Sequence, residues 1–177
     1  MKIAIVGFSG SGKSVLADIL GDFYNTQVLH LDQVNFLPNW ATRSDQEQVK
    51  IVRAFLDSHD SWIIDGNYPN LEYWRRMEDA DIIIELLLNR ITCLCRAFCR
   101  FLKYRGSTRP DMADNCNEKF DLEFIMWILM HGRSDSIKRR YQYLHENERY
   151  YKKIVVLRNQ NQINRYLTSV GVSTKQY

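Results

Sequence analysis

The stretch that most constrains this chain is its opening, MKIAIVGFSGSGKS. Lys2 to Val6 is short, β-branched and apolar, and reads as a buried parallel strand. Gly7 to Ser14, GFSGSGKS, then fits G-x-x-x-x-G-K-[S/T] at every fixed position. Helical apolar spacing follows from Lys13 to Leu20, with Gly21 placed to stop the helix. Strand, glycine loop and helix in that order is the context in which such a loop cradles phosphates. The run from Gly7 through Ser9, Gly10, Ser11 and Gly12 can curl so that several backbone N–H groups point inward, and the helix start adds its positive dipole end. Lys13 then reaches the β- and γ-phosphates of ATP, and the Ser14 hydroxyl ligates Mg²⁺.

Further strands read as Gln27 to Leu31, Trp62 to Asp65, Asp81 to Leu88 and Lys153 to Leu157. Ser44 with Glu47 forms a capping box before a helix that carries Val49, Val52, Phe55 and Leu56 on one side. Pro69 opens a helix to about Met77, and the segment between the last two strands reads as three helices and a loop. Strands alternating with helices predict a mainly parallel sheet covered on both faces, in one domain over 1–177. Ligands bind such sheets beyond the carboxyl ends of the strands, where the strand order reverses.

The rest of the composition narrows the setting. Net charge is +3, too mild to announce nucleic acid or membrane, and the longest unbroken apolar runs have seven residues where a membrane span needs about 20. The four cysteines form no C-x-x-C pair, so they read as reduced thiols of a cytoplasmic protein.

Two carboxylates end apolar strands. Asp65 stops WIID and suits a second anchor for Mg²⁺, with Gly66 allowing close approach to a ligand. Asp32 ends the second strand, faces the same crevice, and can orient or deprotonate an attacking hydroxyl. No helix is predicted until Ser44, so a capping role for Asp32 is not evident, and Phe36, Pro38 and Trp40 are placed to wall an acceptor pocket. From Arg90 to Arg109 there are five arginines, one lysine and no acid. Arg96, Arg100 and Lys103 share one helix face opposite a stripe of Ile91, Leu94, Phe98 and Phe101. Such a cluster repels itself unless a polyanion neutralises it, which predicts a basic lid over about 90–117 that closes on triphosphate, joined by Arg133 from the other side. The acids after it, Asp111, Asp114, Glu118, Asp121 and Glu123, weaken a competing reading as a nucleic-acid track. FDLEFIMWILM, although able to line a pocket, and the tyrosine-rich helix near Tyr141 to Tyr151 read as core.

GFSGSGKS, HLDQVNFLPNW, WIIDGNY and RPDMADNCNEKFDLEF together resemble bacterial P-loop proteins known as topology modulation proteins, which are similar in fold to adenylate kinase and shikimate kinase. The resemblance runs from about Lys2 to Leu167. It implies a three-layer P-loop NTPase fold, a five-stranded parallel sheet in the order 2-3-1-4-5, and a helical lid after strand four. It further implies that Asp32 holds the acceptor hydroxyl, that Asp65-Gly66 lies near Mg²⁺ and the acceptor, that Arg109-Pro110 belongs to the lid, and that Arg90 lies against adenine. Asn67-Tyr68 departs from nucleoside monophosphate kinases, which carry an aromatic, a Pro and an Arg there for the acceptor's phosphate.

The expectation is thus an ATP- and Mg²⁺-dependent kinase of a small molecule, monomeric or homodimeric and with no membrane partner. Lys13, Asp32, Arg96, Arg100 and Arg109 are its catalytic residues. Ser14 and Asp65 place the metal, while Asp32, Trp40, Gly66, Asn67, Tyr68 and Arg133 meet the acceptor. The alternative is a nucleotide-switched regulator that binds DNA.

Overall fold

The structure, a computed structural model, describes residues 1–109, 111–113 and 115–173. Strands β1 (Lys2–Gly7), β2 (Val28–His30), β3 (Trp62–Asp65), β4 (Ile82–Leu86) and β5 (Ile154–Leu157) pair in parallel in the order β2-β3-β1-β4-β5. The helices are α1 (Lys13–Tyr24), α2 (Leu31–Asn35), α3 (Asp45–Ser58), α4 (Tyr73–Asp79), α5 (Arg90–Lys103), α6 (Leu122–Leu129), α7 (Asp135–Glu146), α8 (Glu148–Tyr151) and α9 (Gln160–Ser169). Alternate side chains of β1 enter opposite cores. Ile3 and Ile5 pack with Leu16 and Leu20 of α1 and Ile163 and Leu167 of α9. Ala4 and Val6 pack with Val52 and Leu56 of α3, Met77 of α4 and Leu144 of α7. This period-two division, with helices on both faces, makes the three-layer α/β P-loop NTPase fold with the expected strand order.

Several local expectations change. Gly21 does not stop α1, which continues to Tyr24 and ends at Asn25 in the left-handed region. Gly21 is buried in the helix because β2 crosses it closely: an added Cβ would lie 2.3 Å from Val28 Cγ2. Asp32 is not the last residue of a strand. β2 stops at His30, and Asp32 stands in the first turn of α2, a helix too short to give an apolar period. The helix after Pro69 begins only at Tyr73, behind Glu72 in a left-handed conformation. At Ser44 the hydroxyl accepts from Glu47 N–H at 3.4 Å and also donates to Glu47 Oε2 at 2.7 Å, a variant of the expected box.

The largest reversal is in α5. Its buried residues are Cys93 and Ala97, and Arg96 and Arg100 share that inward side, whereas Ile91 is 73% exposed and Phe98 45% exposed. The basic face turns inward because it finds acceptors there, described below. α6 is likewise not core: Ile128 is its buried residue, while Leu122 and Trp127 are exposed. The four cysteines are free thiols. Among the described residues, no helix is long and apolar enough to cross a membrane.

One strand residue violates the apolar pattern. Glu85 of β4 is fully buried; its Oε2 accepts from Nε2 of His145 at 2.9 Å and its Oε1 has no partner. Burial pushes its carboxyl above the usual range, with His145 opposing. A carboxyl raised in the folded state makes stability decline as pH rises from the unfolded carboxylate range through the folded pKa. Glu85→Gln removes that decline. The side chain of His145 is 42% exposed, so water replaces the lost charge partner. We expect Glu85→Gln to gain about 1–3 kcal/mol at pH 8, read from urea unfolding at several pH values; a less stable variant at pH 8 contradicts this account.

Candidate functional site

The parallel register brings the carboxyl ends of three strands together: Ile5 of β1 lies beside Asp65 of β3, and Asp65 beside His30 of β2. The glycine loop leaves β1 at that rim and turns into α1, whose N-terminal residue Gly12 is left-handed and supplies no side-chain cap. The first N–H groups of α1 are therefore left for another acceptor. Gly10 is required twice over. Its φ is +75°, and a Cβ there would sit 2.5 Å from the Cys93 carbonyl of α5. The Ser11 side chain is buried inside the loop, and Ser9 Oγ accepts from Trp127 Nε1 of α6 at 2.9 Å.

Lys13 Nζ donates to the loop carbonyl of Phe8 at 3.1 Å. Burial lowers its pKa, and the carboxylates of Asp32 and Asp65 act against that. Ser14 Oγ donates to Asp65 Oδ2 at 2.9 Å. Asp65 Oδ1 meets His30 Nδ1 at 2.5 Å, and His30 Nε2 meets Asp18 Oδ1 at 3.0 Å. Burial opposes charge on His30, but hydrogen bonds to two carboxylates overcome it and raise the imidazole to about 10, so His30 is a cation at neutral pH.

Asp32 Oδ1 accepts from the Tyr68 hydroxyl at 2.7 Å. Burial, then the Asp32 charge, push the Tyr68 phenol up. Gly66 lets the loop after β3 pass α2: a Cβ there, at φ +137°, would lie 2.7 Å from Leu31 Cβ. Arg76 of α4, fully buried, fixes the loop by donating to the carbonyls of Leu71 at 2.8 Å, Gly66 at 3.3 Å and Tyr68 at 2.9 Å. Burial lowers Arg76 to about 10, which leaves it charged.

The segment after α2 is tied across the cleft. Trp40 has φ +63°, a sparsely populated conformation for a bulky residue. It is held there by an edge-to-face contact with Phe36, by N–H donation to Cys116 Sγ at 3.4 Å and by Nε1 donation to the Asn117 carbonyl at 3.1 Å. Cys116 in turn donates to the Leu37 carbonyl at 3.4 Å.

Three arginines of the basic segment already have partners within the chain. Arg96 donates to the Ser11 carbonyl at 2.5 Å and to Gln160. Arg100 donates to Glu118 Oε1 at 2.7–2.8 Å, and Arg109 reaches Glu118 Oε2 at 2.7 Å and Asp111 at 2.9 Å. Glu118 is buried and with Asp111 balances Arg100 and Arg109, so part of the charge balance expected from a bound polyanion is met from within the chain, while Lys103 and Arg105 are exposed. Pro110 and Asp114 lie outside the described residues.

These groups open on one cleft of about 1390 Å³. Its wall includes Gly7, Ser9, Gly10, Gly12, Lys13, Ser14, Asp32, Trp40, Asp65, Gly66, Asn67, Tyr68, Arg96, Arg100 and Arg109. Three expected residues stand elsewhere, the first being Ser11, whose side chain is buried inside the loop. Arg90 donates to the Leu129 carbonyl at the end of α6. Arg133 donates to the carbonyls of Ile128 and Leu88 and lies 3.7 Å from the Phe8 ring centroid, bracing the glycine loop from behind. His30, Arg76, Glu118 and Arg140 were not foreseen. For His30 a signal existed: it is the polar residue closing an apolar strand. Arg76, Glu118 and Arg140 gain their places only through tertiary contacts.

No family model matches the chain, and no curated protein matches it. Among solved structures, an uncharacterized protein from Eubacterium ventriosum aligns over 96% of this chain and 97% of its own, with 18% identity and a TM-score of 0.52, a likeness of fold. A deoxyadenosine kinase from M. mycoides, solved with dCMP and dCDP, aligns over 96% and 98% of the two chains at 16% identity and a TM-score of 0.47, too distant to bear on function.

Proposed function

We propose that this protein is an ATP- and Mg²⁺-dependent phosphotransferase that moves a γ-phosphoryl group to a hydroxyl of a small molecule. The observation that carries the reading is the meeting, in one cleft, of the glycine loop with Lys13, the Ser14–Asp65 pair, and the Asp32–Tyr68 pair. ATP lies on the loop N–H groups, with Lys13 exchanging the Phe8 carbonyl for phosphate oxygens. A hydroxyl next to a carboxylate suits Mg²⁺, which takes few protein oxygens and keeps waters and substrate phosphates. Ser14 and Asp65 would hold it, and the ion would supply neutralisation of phosphate charge. His30 keeps Asp65 oriented from the other side. Asp32 accepts the proton of the acceptor hydroxyl as its oxygen bonds to the γ-phosphorus; the bond from that phosphorus to the β–γ bridging oxygen breaks and ADP leaves. Trp40, Gly66, Asn67 and Tyr68 form the acceptor side.

Arg96, Arg100 and Arg109 stabilise the transferring group. Cys93 and Ala97 anchor α5 in the core, so the part that closes begins after Ala97, and Arg100 and Arg109 reach phosphate by exchanging Glu118 for it. The DNA-binding regulator loses support from the same geometry, because Arg96 and Arg100 face inward and are already hydrogen-bonded.

The test is transfer of labelled γ-phosphate from ATP·Mg²⁺ to nucleosides, nucleotides, sugars and hydroxy acids. We expect labelling of one acceptor class above the acceptor-free rate. No transfer to any class, together with no ATP·Mg²⁺ binding, refutes the reading.

A further inference from the structure

We infer that Arg140 binds an anionic group of the acceptor, so that the acceptor is a hydroxyl compound that also carries a carboxylate or a phosphate monoester; this rests on the phosphotransferase reading. Among the described residues, four guanidinium groups line the cleft: Arg96, Arg100, Arg109 and Arg140. The first three are engaged. Arg96 is bonded to a loop carbonyl, Arg100 is on Glu118, and Arg109 is on Glu118 and Asp111. Among the described residues Arg140 finds no hydrogen-bond or ion-pair partner, and its Nε is buried without one. Besides Lys13, two lysines on the wall, Lys103 and Lys119, are exposed to water, and Lys119 rests on the Trp40 ring. A partly buried guanidinium with an unmet donor is costly to keep, and that cost is recovered when an anion arrives.

Its position assigns it to the acceptor side. Arg140 lies 5.5 Å from the centroid of the Tyr73 ring, and Arg76 also lies 5.5 Å from that centroid. Arg76 is the residue that fixes the Gly66 and Tyr68 carbonyls, so both guanidiniums stand beside the loop that presents Tyr68 to Asp32. Their roles differ because their partners differ. Three carbonyls satisfy Arg76 out of reach of solvent, whereas Arg140 opens on the cleft beside Ser136 and Ile137 of α7. Asp32 provides for a hydroxyl, and Lys13, the cation beside it, is taken up by the phosphates of ATP on the same reading, so hydroxyl and anion belong to separate ends of one acceptor.

The experiment titrates inorganic phosphate into protein saturated with Mg²⁺ and a non-hydrolysable ATP analogue, which keeps phosphate off the glycine loop. Wild-type protein is expected to bind one equivalent. Arg140→Gln should weaken this by ~10–100-fold, the worth of one charge-assisted bidentate contact. Arg140→Lys should fall between them, and the exposed neighbour Arg139→Gln should match wild type. Affinity for the ATP analogue should stay the same throughout. In turnover, matched pairs separate the two anions: a nucleoside against its monophosphate, and a sugar against its uronic acid. Arg140→Gln should raise KM for the active anionic acceptor by the same factor, with kcat changed far less. Three results overturn the inference: no phosphate binding by wild type, equal binding by Arg140→Gln, or a loss of ATP-analogue affinity in its place. Failure of the phosphotransferase reading shows separately, as no label transfer from wild-type protein to any acceptor. Circular dichroism checks that Arg140→Gln is folded, and Arg140→Lys repeats the test if it is not.

Discussion

Lys13→Ala should lower phosphate transfer by at least ~10²–10³-fold, the usual loss when one preorganised donor to a developing charge is removed. The fold should survive. Among the described residues Lys13 makes a single hydrogen bond, to the Phe8 carbonyl, and it contributes to neither hydrophobic core. Its loss therefore costs about 1 kcal/mol of stability or less. The variant is compared with wild type in three ways: affinity for ATP·Mg²⁺, transfer rate, and urea midpoint. Unchanged affinity and rate in a folded variant would end the assignment of the glycine loop to ATP. Low activity with a collapsed midpoint would instead make Lys13 a structural residue.

Asp32→Asn is the sharper of the two, because it separates acceptor from nucleotide. The amide oxygen can still accept from the Tyr68 hydroxyl, which now lies 2.7 Å from Asp32 Oδ1, so the local geometry has no reason to change. What disappears is the base. Transfer should fall by ~10²–10⁴-fold, while ATP·Mg²⁺ affinity holds to within about a factor of two, less than 0.5 kcal/mol. Equal transfer rates for Asp32→Asn and wild type remove the base from Asp32 and leave the carboxylate as a partner of Tyr68 alone. The paired control is DNA binding by an Arg96→Gln, Arg100→Gln double variant at two salt concentrations. A salt-sensitive affinity that this variant loses would restore the regulator.

How much of this was legible depended on whether the information was local. The glycine loop and its flanking strand and helix follow from short patterns whose physics acts within a few residues, whereas the order of strands in the sheet was only implied by the resemblance. Asp65 was placed correctly because a parallel strand and its end are both local signals. Asp32 was singled out for the right crevice but given the wrong backbone, since the short α2 that carries it gives no apolar period. The α5 arginines show the opposite limit. Their spacing gave one face, but which way that face turns depends on Glu118, Ser11 and Gln160, which are 18, 85 and 64 residues away along the chain. A helix that turns Arg96 and Arg100 inward and leaves Ile91 and Phe98 exposed departs from the usual amphipathic rule, and the long-range acceptors explain the departure. Arg140 likewise looks like any cation on a polar helix until its neighbours are known.

The bonds from Trp40 to Cys116 and Asn117 make the acceptor wall and the basic segment one mechanical unit. Two binding events that draw on the same rearrangement cannot be energetically independent. Whichever ligand arrives first bears the ordering cost, and the second binds tighter by that amount; thermodynamic reciprocity makes the factor the same in either order. Water, which cannot engage the Trp40 wall, supplies no such contribution. On the phosphotransferase reading, the same tie that joins the two loops would therefore discriminate against futile hydrolysis of ATP when no acceptor is present.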